Sequence, residues 1–202
     1  MKDYASPLRA EQQELTRQRI LESVVEELEA RPAEELSFPS IAERARVSER
    51  TVYRHFPTKE ALLDAFWQWW IAGRFGVPSD IPVSADELPA YLERLYTAFE
   101  KHEQVSRAMV FSASGREIRD RSRGGRLKMI ETTLEAVTKK LEPADRKLVL
   151  AVFQMLMSIS TWQTLRDFRK LTGAEAARAA GWTARVLLAE LRANPKSLKE
   201  IP

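Results

Sequence analysis

Arg50 and Arg54 lie four residues apart, with Thr51, Tyr53 and His55 interleaved around them and Lys59 a turn further on. On a helix advancing about 100° per residue, Val52 and Phe56 mark one side, and the two guanidinium groups point almost directly away from it. Guanidinium forks suit the paired acceptors of guanine in a major groove. The hydroxyls of Thr51 and Tyr53 suit phosphate oxygens, and the methyl of Thr51 suits a thymine methyl. Lys59 falls beyond the Phe56-Pro57 break, in the first turn of a following helix, where its ammonium and the helix N-terminus can hold a phosphate together. This is chemistry for nucleic acid. Two outward arginines alone are ordinary solvated charge, so the weight of the reading falls on the elements that present them.

Those elements are legible in the spacing. Phe38, Ile41, Ala42 and Ala45 follow the i, i+3, i+4, i+7 pattern of one helical stripe. Val47-Ser48 interrupts it, and Ser48 is placed as an N-cap accepting from the backbone N–H of Arg50 or Thr51. Val47 and Val52 have the spacing of a hydrophobic staple, which fixes the angle of the helix that follows. Before them, a long helix from about Pro7 or Glu11 to Ala30 turns Leu21, Val24, Val25 and Leu28 toward this pair, and Arg31-Pro32 ends it. The pattern predicts a helix-turn-helix.

At this point the sequence resembles the tetracycline-repressor-like (TetR) family of bacterial regulators. The matching residues are Ile41-Ala42, Val47-Ser48, the run Thr51-Val52-Tyr53-Arg54-His55-Phe56, and Lys59-Glu60-Ala61-Leu62. The match is specific over roughly residues 16 to 66 and covers architecture only beyond them. It implies base and backbone contacts for Arg50, Thr51, Tyr53, Arg54 and His55, and phosphate contacts for Ser37 and Lys59, and Ser48 in the turn joins them as a DNA-binding candidate. Arg46 departs from the pattern by standing where the family usually has Gly, a position that often needs φ > 0. That placement costs an ordinary residue about 1 kcal/mol and brings the Arg46 side chain near the DNA backbone.

Composition sets the surrounding limits. With 202 residues, 44% hydrophobic and 30% charged, the chain can bury a real core as one large domain or two small ones. Cysteine is absent, which removes disulfides, thiolate zinc sites and a cysteine nucleophile. The N-terminus is polar and carries no signal-peptide pattern, and the apolar run Leu148–Ile159 is far short of the roughly 20 residues that span a bilayer. The expected compartment is the cytoplasm. Net charge is +3, and residues 1–60 hold ten Lys/Arg against twelve Asp/Glu. The first 60 residues are therefore not basic as a whole. From Arg44 to Lys59, however, five basic residues face one Glu49, concentrating positive charge where a phosphate backbone would lie.

Enzymatic chemistry finds little support. The two histidines are His55 and His102, no glycine-rich phosphate loop or metal-ligand cluster is present, and the carboxylates stand in charged, solvated contexts. No catalytic residue, metal or cofactor is expected. A helical interaction or adaptor protein, keeping the fold without sequence-specific DNA binding, is the alternative; Arg50, Thr51, Tyr53 and Lys59 weigh against it.

A fourth helix starts at a Thr58 cap and carries Leu62, Leu63, Phe66, Trp67, Trp70 and Ile71 up to Gly73. Residues 73–83, with two Gly and two Pro, read as a linker. Capping-box patterns at Ser84–Glu87, Ser114–Glu117 and Thr172–Glu175, with Pro143 as a first helical residue, predict five further helices, near 85–101, 104–112, 116–141, 143–170 and 173–193. The expectation is an all-α protein of about nine helices. A three-helix DNA-binding domain occupies residues 1–60, and a larger helical ligand-binding and dimerisation domain occupies 61–202.

The helix beyond Leu148 is apolar on more than one stripe, more than a single core can use, and the last helix combines small residues with Trp182, Val186, Leu187 and Leu191. In the family, the last two helices pair with their copies. By that resemblance Leu156, Ile159, Trp162, Ala177, Gly181, Trp182 and Leu187 are the dimer-interface candidates, and a homodimer would set two reading heads on successive major grooves of a palindromic operator. The resemblance also implies an unknown small effector, for which Trp67, Trp70, Phe99, Met109, Phe111, Met129, Thr133, Phe153 and Met157 are candidate lining residues. Aromatic and Met side chains suit an apolar ligand, although each is also an ordinary core residue. Repression is the family's usual mode, giving a ligand-released repressor with no membrane role. The basic stretch Arg116–Lys128 reads as a solvated helix entrance broken at Gly124-Gly125, or as an attractor for an anionic effector or partner.

Overall fold

A computed structural model describes residues 7–76, 82, 84–195 and 198. These residues form eleven α-helices and no strand. In chain order the helices are α1 (Pro7–Ala30), α2 (Phe38–Ala45), α3 (Glu49–His55), α4 (Lys59–Trp69), α5 (Leu88–Lys101), α6 (Glu103–Phe111), α7 (Ala113–Arg121), α8 (Arg123–Thr138), α9 (Pro143–Leu156), α10 (Ile159–Arg169) and α11 (Gly173–Ala193). A π-helical turn, Trp70–Arg74, continues α4, and a 3₁₀ turn, Ala85–Glu87, precedes α5.

The chain folds as two compact units. Residues 1–74 and 108–121 make the first, and residues 75–107 and 122–202 make the second. In the first unit α1 packs on α2 and α4, α2 packs on α3, and α7 lies against α4. Its core is Ile20, Leu21, Val24 and Leu28 from α1, Phe38, Ile41, Ala42 and Ala45 from α2, Val52 and Phe56, and Leu62, Leu63 and Phe66 from α4. The predicted stripe on α2 is thus buried in full. On α1, Val25 is only half-buried and Ile20 takes the innermost position.

In the second unit α11 packs along α5. Ala176, Ala177, Ala180, Gly181, Ala184 and Leu188 form its buried face. A β-carbon at Gly181 would collide with the Glu93 side chain on α5, so the small-residue stripe serves helix approach within one chain. Thr172 and Glu175 form the predicted reciprocal capping box at the start of α11. The Tyr96 hydroxyl, fully buried, donates to the carbonyl of Leu156 (2.9 Å).

Several expectations are corrected. The predicted helix 116–141 is two helices meeting at Ser122, because no apolar residue stands between Ile118 and Leu127 to carry a stripe across. The Gly124-Gly125 pair lies inside the first turn of α8. The predicted helix 143–170 is α9 and α10, bent by 60° at Met157-Ser158. There Ser158 caps α10 by accepting from the Thr161 N–H (3.1 Å), and Thr161 donates back to Met155 O (2.6 Å). These two breaks raise the count from about nine to eleven. Ser114 is not a cap: α7 begins at Ala113, and Ser112 accepts from the Gly115 N–H instead (2.9 Å). Ser84 opens the 3₁₀ turn with no side-chain cap on the backbone. Of the predicted linker 73–83, residues 77–81 and 83 lie outside the described residues, and Gly76 has φ +74°.

Among the described residues no single helix is long and apolar enough to cross a membrane; α9 and α10 reach that length only together, across their bend.

Candidate nucleic-acid interface

The turn between α2 and α3 is fixed by the backbone. Arg46 adopts φ 53°, ψ 45°, the left-handed conformation foreseen where the resemblance puts Gly. The Val47 N–H then reaches Ala42 O (3.0 Å) and the Arg46 N–H reaches Glu43 O (3.1 Å), the bond pattern that closes a helix with one left-handed residue. Ser48 caps α3 by accepting from the Thr51 N–H (3.2 Å), and its hydroxyl also meets that of Thr51 (2.9 Å). Ser37 does the same for α2, accepting from the Ser40 N–H (3.3 Å).

Behind α3, Val52 and Phe56 are fully buried, and the Arg17 guanidinium lies 5.2 Å from the centre of the Phe56 ring. In front, Arg46, Arg50, Tyr53 and Arg54 are exposed. No carboxylate among the described residues lies within ion-pair distance of Arg46, Arg50 or Arg54. Tyr53 is 51% exposed, yet its ring packs against Phe38 of α2 at 4.5 Å between centroids. The hydroxyl is thereby presented on a braced ring.

His55 is half-buried at the C-terminal end of α3. Burial first, then the positive charges of Arg54 and Arg17, lower its pKa from the ordinary 6.5. Its Nε2 is buried without a hydrogen-bond partner. The imidazole therefore takes up a proton less readily than a free histidine does, and it is less exposed than the arginine face.

Lys59 differs from the arginines. It sits in the first turn of α4, which Thr58 caps by accepting from the Ala61 N–H (3.2 Å), and its ammonium is ion-paired with Glu35 and lies 3.9 Å from Glu117. Two further pairs that sequence patterns did not reveal hold the unit together. Arg44 of α2 pairs with Glu27 of α1, a carboxylate that is 3% exposed. Arg121 of α7 grips Asp64 of α4 with both nitrogens (2.5 and 2.6 Å). Spacing four or fewer residues apart is visible in a sequence; pairs separated by 17 and 57 residues are not.

The other candidates fall in both units. Of those proposed to line an effector site, Trp67, Trp70, Met109 and Phe111 are in the first unit, with Trp70 stacked on Phe66 (5.9 Å), Met109 buried and Phe111 exposed. Phe99, Met129, Thr133, Phe153 and Met157 are in the second, where Phe99 packs between Phe75, Tyr96 and Trp162. Thr133 spends its hydroxyl on Pro82 O (2.7 Å). The Nε1 of Trp162 is buried without an acceptor, while Arg107, paired with Asp167, lies over its ring.

Of the dimer candidates, Leu156, Trp162, Ala177 and Gly181 are buried inside their own chain, because α5 and α10 claim them first. Ile159 and Leu187 are half-buried and Trp182 is 61% exposed. The large apolar side chains left exposed on these helices are Leu148, Val152 and Met155 of α9, Phe168 of α10, and Trp182 and Val186 of α11. A shallow groove of about 510 Å³ runs beside Trp182, lined by Leu171, Glu175, Arg178 and Arg185.

Residues 20–66 match the family model described as bacterial regulatory proteins, tetR family. The fold is similar to the crystal structure of a TetR-like transcriptional regulator from Rhodococcus sp. RHA1, with a TM-score of 0.57, 20% identity, and coverage of 86% of this chain and 96% of that one. It is also similar to a tetR-family transcriptional regulator from Streptomyces coelicolor, with a TM-score of 0.56, 22% identity, and coverage of 90% and 93%. A comparison with curated protein sequences gives no match. Residues 20–66 thus match the tetR-family model across the helix-turn-helix, and the chain as a whole has a TetR-like fold.

Proposed function

We propose that this protein is a sequence-specific, ligand-responsive transcriptional repressor, acting without catalysis in the cytoplasm and binding a palindromic operator as a homodimer. Residues 1–60 read DNA, and residues 61–202 hold a small, largely apolar effector and the dimer contacts. The observation that carries this reading is the outer face of α3, where Arg50 and Arg54 stand unpaired beside a braced Tyr53 on a helix capped at one end and buried along its back. Arg50 and Arg54 read base edges, Thr51, Tyr53 and Ser37 meet the backbone, and Arg46 adds a phosphate contact from the turn.

The dimer reading is supported by the surplus apolar stripe of α9 beside the Trp182 face of α11, since uncovered apolar surface of this kind marks association sites. The effector reading is supported by the aromatic cluster around Phe99 and by the Trp162 donor within it, which an acceptor on an otherwise apolar ligand would satisfy. Genomic fragment selection followed by anisotropy titration tests the function. Retention on duplex DNA should fall steeply with added salt as counterions are released, and a selected operator should bind on the order of 10³-fold or more tighter than random duplex. Equal affinity for both, or no salt dependence, overturns the assignment.

A further inference from the structure

Among the described residues, Lys59 is the one proposed DNA-contacting cation that is ion-paired. Its ammonium is paired with Glu35, and a second carboxylate, Glu117, lies at 3.9 Å. The two carboxylates come from separate elements. Glu35 lies in the loop between α1 and α2, and Glu117 lies on α7, a helix contributed from the middle of the chain. The loop is tied to that helix next to both residues: Leu36 is buried, and its backbone N–H donates to the Ser114 hydroxyl (3.0 Å), one turn before Glu117 on α7. The bidentate Arg121–Asp64 pair fastens the far end of α7 to α4. Glu35 and Glu117 are therefore brought to Lys59 by anchored backbone.

The rest of this end of α4 is acidic as well. Glu60 is held below the ordinary carboxylate range by a hydrogen bond from its own backbone N–H and then by Thr58, so the helix N-terminus already faces a negative group of the kind it favours. The pair with Lys59 lowers the pKa of Glu35 too, through the hydrogen bond and then the charge, which keeps it ionised at neutral pH. A carboxylate on a lysine ammonium offers the same oxygen acceptors as a phosphate.

We infer that Glu35 and Glu117 form an internal substitute for a DNA phosphate, holding Lys59 while no duplex is bound and surrendering it when a duplex arrives. This rests on the DNA-binding reading. The exchange is a brake on affinity that is blind to sequence, because the group displaced and the group that displaces it are both anions without base identity. Arg50 and Arg54 carry no such partner, so discrimination between operators is left untouched.

Anisotropy titration of the full chain on a selected operator and on a random duplex, at one fixed salt concentration, tests it. Glu35→Gln should tighten binding about two- to fivefold on both duplexes, the range an exposed ion pair commands. Glu117→Gln should act in the same direction more weakly, since its oxygen is farther away. Glu34→Gln, which removes the same charge from the same loop without touching Lys59, measures the general electrostatic effect and should fall below Glu35→Gln. In a Lys59→Ala background, Glu35→Gln should do no more than Glu34→Gln. If Glu35→Gln equals Glu34→Gln, or keeps its full effect without Lys59, the substitution by carboxylates is wrong while the DNA-binding reading stands. If no variant binds duplex DNA, that reading falls and this inference with it.

Discussion

Arg46 shows how a residue of the wrong type can be held in the right conformation. Its φ of 53° is one that a β-carbon resists, and two backbone bonds from the end of α2 keep it there. Arg46→Gly should raise the midpoint of thermal unfolding by an amount equivalent to about 1 kcal/mol, the usual cost of the left-handed region for a side-chain-bearing residue. The same variant should weaken binding to all duplexes alike if the guanidinium meets phosphate. Arg50→Ala should instead relax preference at one base pair by about 1–3 kcal/mol, read from titrations on single-substitution operators.

His55 gives a pH dependence of definite sign. Its folded pKa lies below the ordinary 6.5, so the unfolded chain takes up the proton first. Stability present above about pH 6.5 is lost as acid carries the solution down through the folded value. Denaturant titrations at pH 7.5 and 5.5 should show this loss, and His55→Gln should reduce it. The outward face of Arg50 and Arg54, the Ser48 cap and the left-handed Arg46 were legible because local spacing and capping fix them. The pairing of Lys59 and the half-burial of His55 were not, since both depend on Glu35, Glu117 and Arg17 arriving from other elements.

At the scale of elements, α2, α3 and α4 were readable because each opens on a capping side chain and carries apolar residues of ordinary period, and α1 because its apolar stripe stops at Arg31-Pro32. The later helices were readable in kind but not in number. A break such as Met157-Ser158 is decided by partners distant in sequence, among them the buried Tyr96 hydroxyl that takes the Leu156 carbonyl. The small residues of α11 signalled a close neighbour without saying which, and the neighbour is α5 of the same chain. Gly115 on α7 is tighter still. A β-carbon there would run into the backbone of Ala108 and Met109 on α6, and backbone cannot swing aside as a side chain can. Gly115→Ala should therefore destabilise by about 1–3 kcal/mol in denaturant titration, although alanine is the better helix former.

At the scale of the molecule, the proposed single reading head per chain calls for duplication. Sedimentation at micromolar concentration should give a species near twice the chain mass of 23.1 kDa. Val152→Glu, placed on the exposed stripe of α9, should shift it to the monomer while leaving helical content unchanged. A monomer in the wild type would remove the proposed two-site contact with an operator.

The first unit is assembled from two stretches of chain, 1–74 and 108–121. A truncation ending at residue 74, the natural choice for expressing an isolated head, would delete α7 and leave the Leu36 amide, Asp64 and the flank of α4 without the groups that satisfy them. A recombinant fragment of that length should melt well below the full chain. The first unit is discontinuous in sequence, so a fragment meant to preserve its packing is made by grafting residues 108–121 back on rather than by cutting at the first boundary.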